Sequence, residues 1–288
     1  MKKTCNSIND CSELKVVVMT KNGYEILECK KCGHRFTRIE NGETHVEQVY
    51  SDDYFFEGKN GYPNYLGEKH ILIKHGVRYA KIISKYINNP GTILDVGCAA
   101  GFILKGFEQN GWTCHGIEPN KTMVEYGKKE FGFKMEAGNY ETYNIDKKFD
   151  LITMIQVIGH FHDIDKAMSN THHLLKTGGF VVVESWNRGS LHAKLHGNHW
   201  QEYSPPSVIH WFSDKSLIDL FEYYGFKLVT KGLPIKHINL KHAISIVAGR
   251  MPNFFLKQKM MAVFQKYVGK LSVIYPPLDI KWYVFQKI

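Results

Sequence analysis

Residues 93–102 read Ile93-Leu94-Asp95-Val96-Gly97-Cys98-Ala99-Ala100-Gly101-Phe102, and this stretch decides the fold. Thr92–Val96 is a short apolar strand. Gly97–Gly101 is a glycine-bearing turn, and Phe102 opens a helix that Gly111 closes. A strand, a tight turn and a helix in that order place a ligand at the carboxyl end of the strand. Two nucleotide sites are excluded. A dinucleotide fingerprint needs G-x-G-x-x-G, but Ala99 stands at its second glycine and Phe102 at its third. No Gly-Lys-Ser/Thr is present to make a P-loop. A tight phosphate cradle is therefore not expected.

Outward from this stretch, strands and helices alternate. Thr113–Ile117 reads as a strand. Asn120–Phe131 reads as a helix, with Asn120 as N-cap and Gly132 just past its end. Phe133–Ala137, Phe149–Val157 and Phe180–Ser185 are further strands, with a helix over His162–Leu175. Upstream, His70–Ile87 has helical periodicity until Asn88-Asn89-Pro90-Gly91 breaks it. Such alternation argues a parallel sheet covered on both faces. Glu118 ends the second strand, 23 positions after Asp95. A carboxylate there accepts both hydroxyls of a ribose, while Asp95 either meets a positive charge or orders the turn. Together they fit an adenosyl ligand without a pyrophosphate.

The amino-terminal part is different. Four of six cysteines, Cys5, Cys11, Cys29 and Cys32, fall in the first 32 residues. Cys29-Lys30-Lys31-Cys32-Gly33 is a C-x-x-C knuckle, paired with a wider Cys5–Cys11 spacing. Four thiolates in a reducing compartment point to a structural zinc ion, with His34 as a substitute ligand should the wide loop fail to close. Cys98 and Cys114 sit in apolar contexts and are expected to be buried packing residues. Lys15–Thr20 and Tyr24–Cys29 read as short strands joined by Lys21-Asn22-Gly23. Tyr50–Gly67, dense in aromatics, is expected to be an irregular connection that packs on something.

Composition sets the outer bounds. The 288 residues are 43% hydrophobic and 23% charged, which excludes a disordered or fibrous chain. No apolar run approaches the ~20 residues of a membrane-spanning helix. The start, Met1-Lys2-Lys3-Thr4-Cys5-Asn6, lacks an apolar signal core, so a cytoplasmic protein is expected. The net charge of +9 is concentrated in Phe226–Ile288, which holds eleven basic residues and one acid, Asp279. That segment is either a solvated lysine-rich face or a surface for an anionic partner: a phosphorylated or nucleotide-linked molecule, nucleic acid or a membrane surface. Within it, Asn253–Lys270 reads as an amphipathic helix, suited to a lid, a dimer contact or an interface near a lipid-linked substrate.

From Gly91 to about Phe226 the sequence resembles the class I S-adenosylmethionine-dependent methyltransferases. The resemblance rests on Leu94-Asp95-Val96-Gly97-Cys98-Ala99-Ala100-Gly101, on Gly116-Ile117-Glu118-Pro119, on Phe149-Asp150-Leu151-Ile152 into Gln156-Val157-Ile158-Gly159-His160, and on Leu174-Leu175-Lys176-Thr177-Gly178-Gly179-Phe180. It is similar to a bacterial subgroup with a cysteine module and a segment like Tyr50-Ser51-Asp52-Asp53-Tyr54-Phe55 before the core, and one like His199-Trp200…Tyr203…Pro205-Pro206…His210-Trp211 after the fifth strand. The resemblance implies an α/β, Rossmann-like sheet of seven strands, mostly parallel, with the last, Asp279–Ile288, antiparallel. It implies residues 1–45 as a zinc-ribbon-like module, 46–88 as aromatic linker and helix, 89–190 as the cofactor-binding core, and 191–288 as a substrate cap plus final strands. Three departures are visible: Ala99 for a glycine, Asn139 for an aspartate that holds the adenine amine, and Gly159 for a glutamate.

The resemblance also implies roles. S-adenosylmethionine is assigned to Asp95, Gly97, Cys98, Ala99, Gly101, Phe102, Glu118, Pro119, Asn139, Tyr140, Gln156 and Val157. An alcohol acceptor needs a base, and histidine titrates nearest neutrality; His160, His199 and His210 are the candidates. Trp200, Tyr203 and Trp211 are candidates for binding the acceptor. His192, His196 and His199 share a helical face, which raises a catalytic metal, yet no carboxylate accompanies them. The leading expectation is O-methylation of a sugar or similar small polar metabolite. Two alternatives stand beside it: an rRNA or tRNA methyltransferase gripping phosphate with its zinc module and basic tail, and a cofactor-binding regulator without catalysis.

Overall fold

The computed structural model describes residues 15–56, 64–234, 236–239, 272–275 and 279–288. Residues 1–232 with 278–288 form one compact unit and 233–277 a second. Of the second unit, the described part is an antiparallel pair, β11 (Lys236–Asn239) with β12 (Ser272–Tyr275). The expected helix over 253–270 lies outside the described residues.

The first unit is built on seven strands: β4 (Thr92–Val96), β5 (Thr113–Glu118), β6 (Lys134–Ala137), β7 (Phe149–Ile155), β8 (Leu175–Trp186), β10 (Phe226–Gly232) and β13 (Ile280–Lys287). Their order is β10-β13-β8-β7-β4-β5-β6. All pairings among β6, β5, β4, β7 and β8 are parallel, and β13 runs antiparallel between β8 and β10. This is the sheet the sequence implies, including its antiparallel last strand.

Successive strand residues point to opposite faces, which explains the continuous apolar runs. Leu94, Val96, Val181 and Val183 belong to a core under α6 (Ile164–Leu174) and α8 (Asp214–Tyr223). Ile93, Leu151, Phe180 and Val182 belong to the core on the other face, under α3 (Lys69–Ile83) and α4 (Phe102–Glu108). The two helices there cross at glycines. A Cβ on Gly76 would lie 2.2 Å from the Ile103 carbonyl, and one on Gly106 would lie 2.4 Å from the Ile73 carbonyl.

Helix ends follow the capping chemistry. Asn120 accepts from Met123 N–H to start α5 (Lys121–Phe131), and Gly132 at φ +69° ends it. Ser213 and Ser216 form a reciprocal capping box at α8. Most boundaries fall within two residues of expectation, and two differ by more. Helix α3 stops at Ile83, four residues early. Strand β8 starts at Leu175, because Gly178 at φ +75° lets the Gly178-Gly179 pair ride within the strand across a register shift rather than end it.

A second sheet contains the amino-terminal strands β1 (Lys15–Lys21), β2 (Tyr24–Cys29) and β3 (Arg35–Phe36). Asn22 and Gly23 both take positive φ, 50° and 83°, as a two-residue hairpin requires. The sheet is completed by β9 (His210–Trp211), which follows α7 (Leu191–His196) and pairs with β3. Residues 15–36 therefore share a sheet with the segment expected to cap the substrate. Tyr50–Gly67 is less irregular than its composition suggests: α1 (Gly42–Val49) precedes it and α2 (Asp52–Phe56) lies inside it. Among the described residues, no helix is long and apolar enough to cross a membrane.

Candidate active site

A cavity of ≈ 340 Å³ opens at the carboxyl ends of β4, β5 and β7, where a doubly wound sheet binds ligands. Its floor is the turn after β4. Gly97 and Gly101 take φ of 65° and 77°, and Ala99, between them, takes 45°. A left-handed alanine is uncommon and strained. What holds it is Glu118, whose Oε2 accepts from Ala99 N–H at 3.0 Å while Oε1 accepts from Asn120 N–H at 3.0 Å. Asp95 is buried beneath the turn and accepts from Thr153 Oγ1 at 2.6 Å.

The far side is set by the end of β7. Gln156 also has positive φ, 60°, and donates through Nε2 to Glu184 Oε1 at 2.9 Å. Glu184, 1% exposed, in turn accepts from the Tyr79 hydroxyl of α3. Asn139 uses Oδ1 to accept from Glu141 N–H at 3.2 Å, while its buried Nδ2 has no partner. The amide oxygen expected to stand in for the aspartate is thus already engaged, and the amide nitrogen is the group left without a partner.

His160 lies on the same wall. Its Nδ1 is 2.6 Å from the Ser207 carbonyl, which can only accept, so Nδ1 carries the proton. In the neutral ring Nε2 is then the basic nitrogen. The Tyr50 hydroxyl donates to the same carbonyl at 3.0 Å and lies 2.8 Å from Nδ1. Burial pushes the His160 imidazole down to about 4, opposed by the Ser207 and Gln156 carbonyls.

The structure brings Asp95, Gly97, Cys98, Ala99, Glu118, Pro119, Asn139, Tyr140, Gln156, Val157 and His160 to one cavity. Gly101 and Phe102 stand behind it: Gly101 starts α4 and Phe102 is fully buried against Tyr65. Glu202, Ser204, Ser207 and Val208 of the cap segment line the cavity, but the five cap residues expected to act there, His199, Trp200, Tyr203, His210 and Trp211, do not. Trp200 is fully buried and donates to Asp279 Oδ2 at 2.7 Å. Trp211 donates to the Glu202 carbonyl at 2.6 Å, and Tyr203 accepts from Arg35 at 2.6 Å. All three pack with Ile26 in a layer under the amino-terminal hairpin. His210 is buried with its Nδ1 3.1 Å from Nε2 of His34, the substitute zinc ligand, whose Nδ1 has no hydrogen-bond partner, and His199 is exposed on a short turn.

Sequence reasoning did not assign Tyr50, Tyr54 and Phe55 to the site, yet all three line it. The signal was the aromatic density of that segment. Cys5 and Cys11 lie outside the described residues. Among those described, no three metal-ligating side chains come together, and only the Cys29–Cys32 half of the zinc set falls within them. That half has a knuckle's turn: Gly33 N–H donates to the Cys29 carbonyl at 2.8 Å, with Gly33 at φ +73°.

The lining has a definite sign. Asp95, Glu118, Glu141 and Glu202 contribute to it, and no Lys or Arg is among the described lining residues. A ligand bearing positive charge is favoured there, and an anionic one finds no counter-charge.

Comparison with known proteins agrees with this geometry. A family model described as a methyltransferase domain matches residues 73–231. Ubiquinone biosynthesis O-methyltransferase of Coxiella burnetii is 25% identical over 115 residues, covering 38% of this chain and 49% of that protein. The enzyme of that name from Rhodopseudomonas palustris is 29% identical over 101 residues, covering 33% and 40%. The chain thus spans half or less of the length of these curated relatives. Among solved structures, magnesium protoporphyrin IX methyltransferase from Synechocystis with bound SAH superposes with a TM-score of 0.53 at 11% identity, covering 84% of this chain and 100% of that one. The YcgJ protein of Bacillus subtilis gives 0.52 at 19% identity, covering 74% and 98%. These likenesses show the fold.

Two buried carboxyls make the chain's stability depend on pH. Burial raises Asp95 from 3.8 to about 7, with the Thr153 hydrogen bond opposing, and raises Glu118 to about 7 against its two amide donors. Between the unfolded value, roughly 3.9, and about 7, the folded chain binds more protons than the unfolded one, so stability falls as pH rises through that window. Asp95→Asn keeps an acceptor for Thr153 and removes one such carboxyl. Thermal unfolding of the variant should match the parent at pH 4 and exceed it at pH 8 by about 1 kcal/mol or more, ~2–4 °C in Tm. Equal Tm differences at both pH values would show that Asp95 does not titrate in this way.

Proposed function

The chain belongs to the methyltransferase-domain family, and on that premise we propose that it transfers the methyl group of S-adenosylmethionine to a hydroxyl of a small polar metabolite, a sugar or a molecule like it. The observation that carries the cofactor is the lining: buried carboxylates at the strand ends, a phosphate-averse turn, and no lysine or arginine among the described lining residues. The O-methyltransferase name of the curated relatives supports the acceptor class.

The residues fit the group. Glu118 retains lone pairs beyond those used by Ala99 and Asn120, and these would accept ribose hydroxyls. Asn139 Nδ2 would donate to a ring nitrogen of adenine, which supplies its missing partner. Gly97 and Ala99 present backbone without side-chain bulk. Bound there, the sulfonium supplies an electrophilic methyl carbon for in-line displacement by the acceptor oxygen. His160 would take the acceptor's proton at Nε2, burial keeping the ring neutral while also lowering its basicity in the empty cavity. Tyr50 and Ser207 hold the ring so that this nitrogen keeps its lone pair. With both reactants bound, the side chains lining the cavity would align them for transfer.

We also infer that Cys5, Cys11, Cys29 and Cys32 hold a structural zinc, supported by the knuckle turn at Cys29–Gly33. The basic segment on which an RNA substrate would rest lies mostly outside the described residues, and no other observation favours that reading.

Calorimetry with S-adenosylhomocysteine tests the cofactor reading. Binding should be measurable, and Glu118→Ala should weaken it at least tenfold, about 1.4 kcal/mol; unchanged affinity would remove the ribose assignment. With labelled S-adenosylmethionine and a pool of extract-derived acceptors, His160→Gln should slow transfer roughly 10²–10⁴-fold; an unaltered rate would exclude His160 as the base. Elemental analysis of the purified chain should find about one zinc per molecule, and a metal-free, folded protein would refute that inference.

A further inference from the structure

Every polar atom of Asn120 has a partner, and the residue is 6% exposed. Its N–H donates to Glu118 Oε1 at 3.0 Å. Its Oδ1 accepts from Met123 N–H at 2.9 Å, and its carbonyl accepts from Val124 N–H at 3.2 Å. Its Nδ2 donates to the Tyr50 carbonyl at 3.0 Å and to Asp52 Oδ1 at 2.9 Å. Starting helix α5 requires only the side-chain acceptor, which serine or aspartate supplies equally well. The two Nδ2 bonds are surplus to that role, and both reach the segment Tyr50–Phe56.

That segment carries part of the cavity wall. Tyr50, Tyr54 and Phe55 line it, and the Tyr50 hydroxyl meets His160 Nδ1 and the Ser207 carbonyl. A continuous path of polar contacts, none longer than 3.0 Å, therefore runs from Glu118 through Asn120 and Tyr50 to His160.

We propose that Asn120 is a positioning residue that couples cofactor occupancy at Glu118 to the order of the Tyr50–Phe56 segment, and through Tyr50 to the setting of His160. The coupling rests on the cofactor reading given above, because it needs ribose hydroxyls at Glu118. Its physical basis is charge. In the ligand-free cavity burial disfavours the Glu118 carboxylate. Hydroxyl donors favour the ionised form, and a hydrogen bond to an ionised acceptor is about twice as strong as a neutral one. The Asn120 N–H bond therefore tightens when the cofactor is present, fixing the residue whose side chain anchors the segment. The anchor is otherwise modest. Asp52 is exposed, and its other oxygen accepts from the exposed Thr122 hydroxyl at 3.1 Å. Such surface-side anchors open locally at low cost.

Amide hydrogen exchange of the full chain tests this, read on peptides covering Tyr50–Phe56 with and without saturating S-adenosylhomocysteine. The parent should show exchange slowed about tenfold by the ligand, equivalent to 1.4 kcal/mol of local stabilisation. Asn120→Ser keeps the helix cap and loses the Nδ2 donor; Asp52→Ala removes one exposed anchor without touching the core. Both should show less than about half of that protection on a logarithmic scale, with ligand affinity by calorimetry within roughly fivefold of the parent. If the parent gives no binding heat, the cofactor reading falls and the coupling with it. If the ligand binds but leaves the segment's exchange unchanged, or protects both variants as it protects the parent, the coupling alone is overturned. Should Asn120→Ser fail to fold, Asp52→Ala decides the question by itself.

Discussion

A single buried carboxylate organises the cavity. Glu118 sits at the end of β5, 4% exposed and largely withdrawn from solvent. A buried acceptor of that kind is costly unless donors converge on it. Two backbone amides do so, one from Ala99 across the β4 turn and one from Asn120 at the start of α5. The Ala99 bond is what makes a left-handed alanine tolerable in a turn built for glycine. The Asn120 bond fixes where α5 begins. Carboxylate, turn and helix start thus form one unit, and the remaining lone pairs of Glu118 face a cavity with no basic side chain among its described lining residues.

The opposite wall is held from the other face of the sheet. Gln156 ends β7 with positive φ, a conformation that needs outside support. Its support is Glu184 on β8, and Glu184 is itself bound by Tyr79 from α3. Helix α3 lies close because Gly76 and Gly106 let its backbone touch that of α4. Close helix packing on one face is therefore transmitted, through one tyrosine and one glutamate, to a cavity residue at the strand end. A glutamate at 184 inside a run of valines is otherwise hard to account for, since burying a charge without partners is unfavourable.

The features legible in the sequence were local ones. The β4 turn, the carboxylate ending β5, the Asn120 cap and the Gly132 stop are each decided by residues within a few positions of one another. The antiparallel last strand came through resemblance, and its pairing with β8 agrees. The cap was not legible in the same way. Trp200, Tyr203, His210 and Trp211 announce aromatic packing by type, but type does not say which side of a wall a ring occupies. That depends on β3 pairing with β9 across about 175 residues, a contact that no local pattern encodes. Tyr50 was missed for the converse reason: its partner, His160, is 110 residues away.

The pairing of β3 with β9 also accounts for the glycine at 159. Thr37 N–H donates to the Ile209 carbonyl at 2.9 Å, and Ile209 N–H donates to the Gly159 carbonyl at 2.9 Å. The backbone of the cap is thereby drawn against the turn that carries His160. A Cβ at 159 would lie 2.9 Å from the His210 carbonyl and 3.4 Å from Val208. A side chain there would have to push the cap strand outward, away from the Ser207 carbonyl's contact with His160. The departure from the glutamate that the resemblance implies is then a steric consequence of how closely the cap approaches. The amino-terminal hairpin takes part in the same arrangement: Arg35 bonds Tyr203, Arg188 bonds the Gly33 carbonyl, and both arginines face Glu28. The cysteine knuckle and the histidine wall are thus linked through one sheet and its attached turns, although no side chain from β1–β3 lines the cavity.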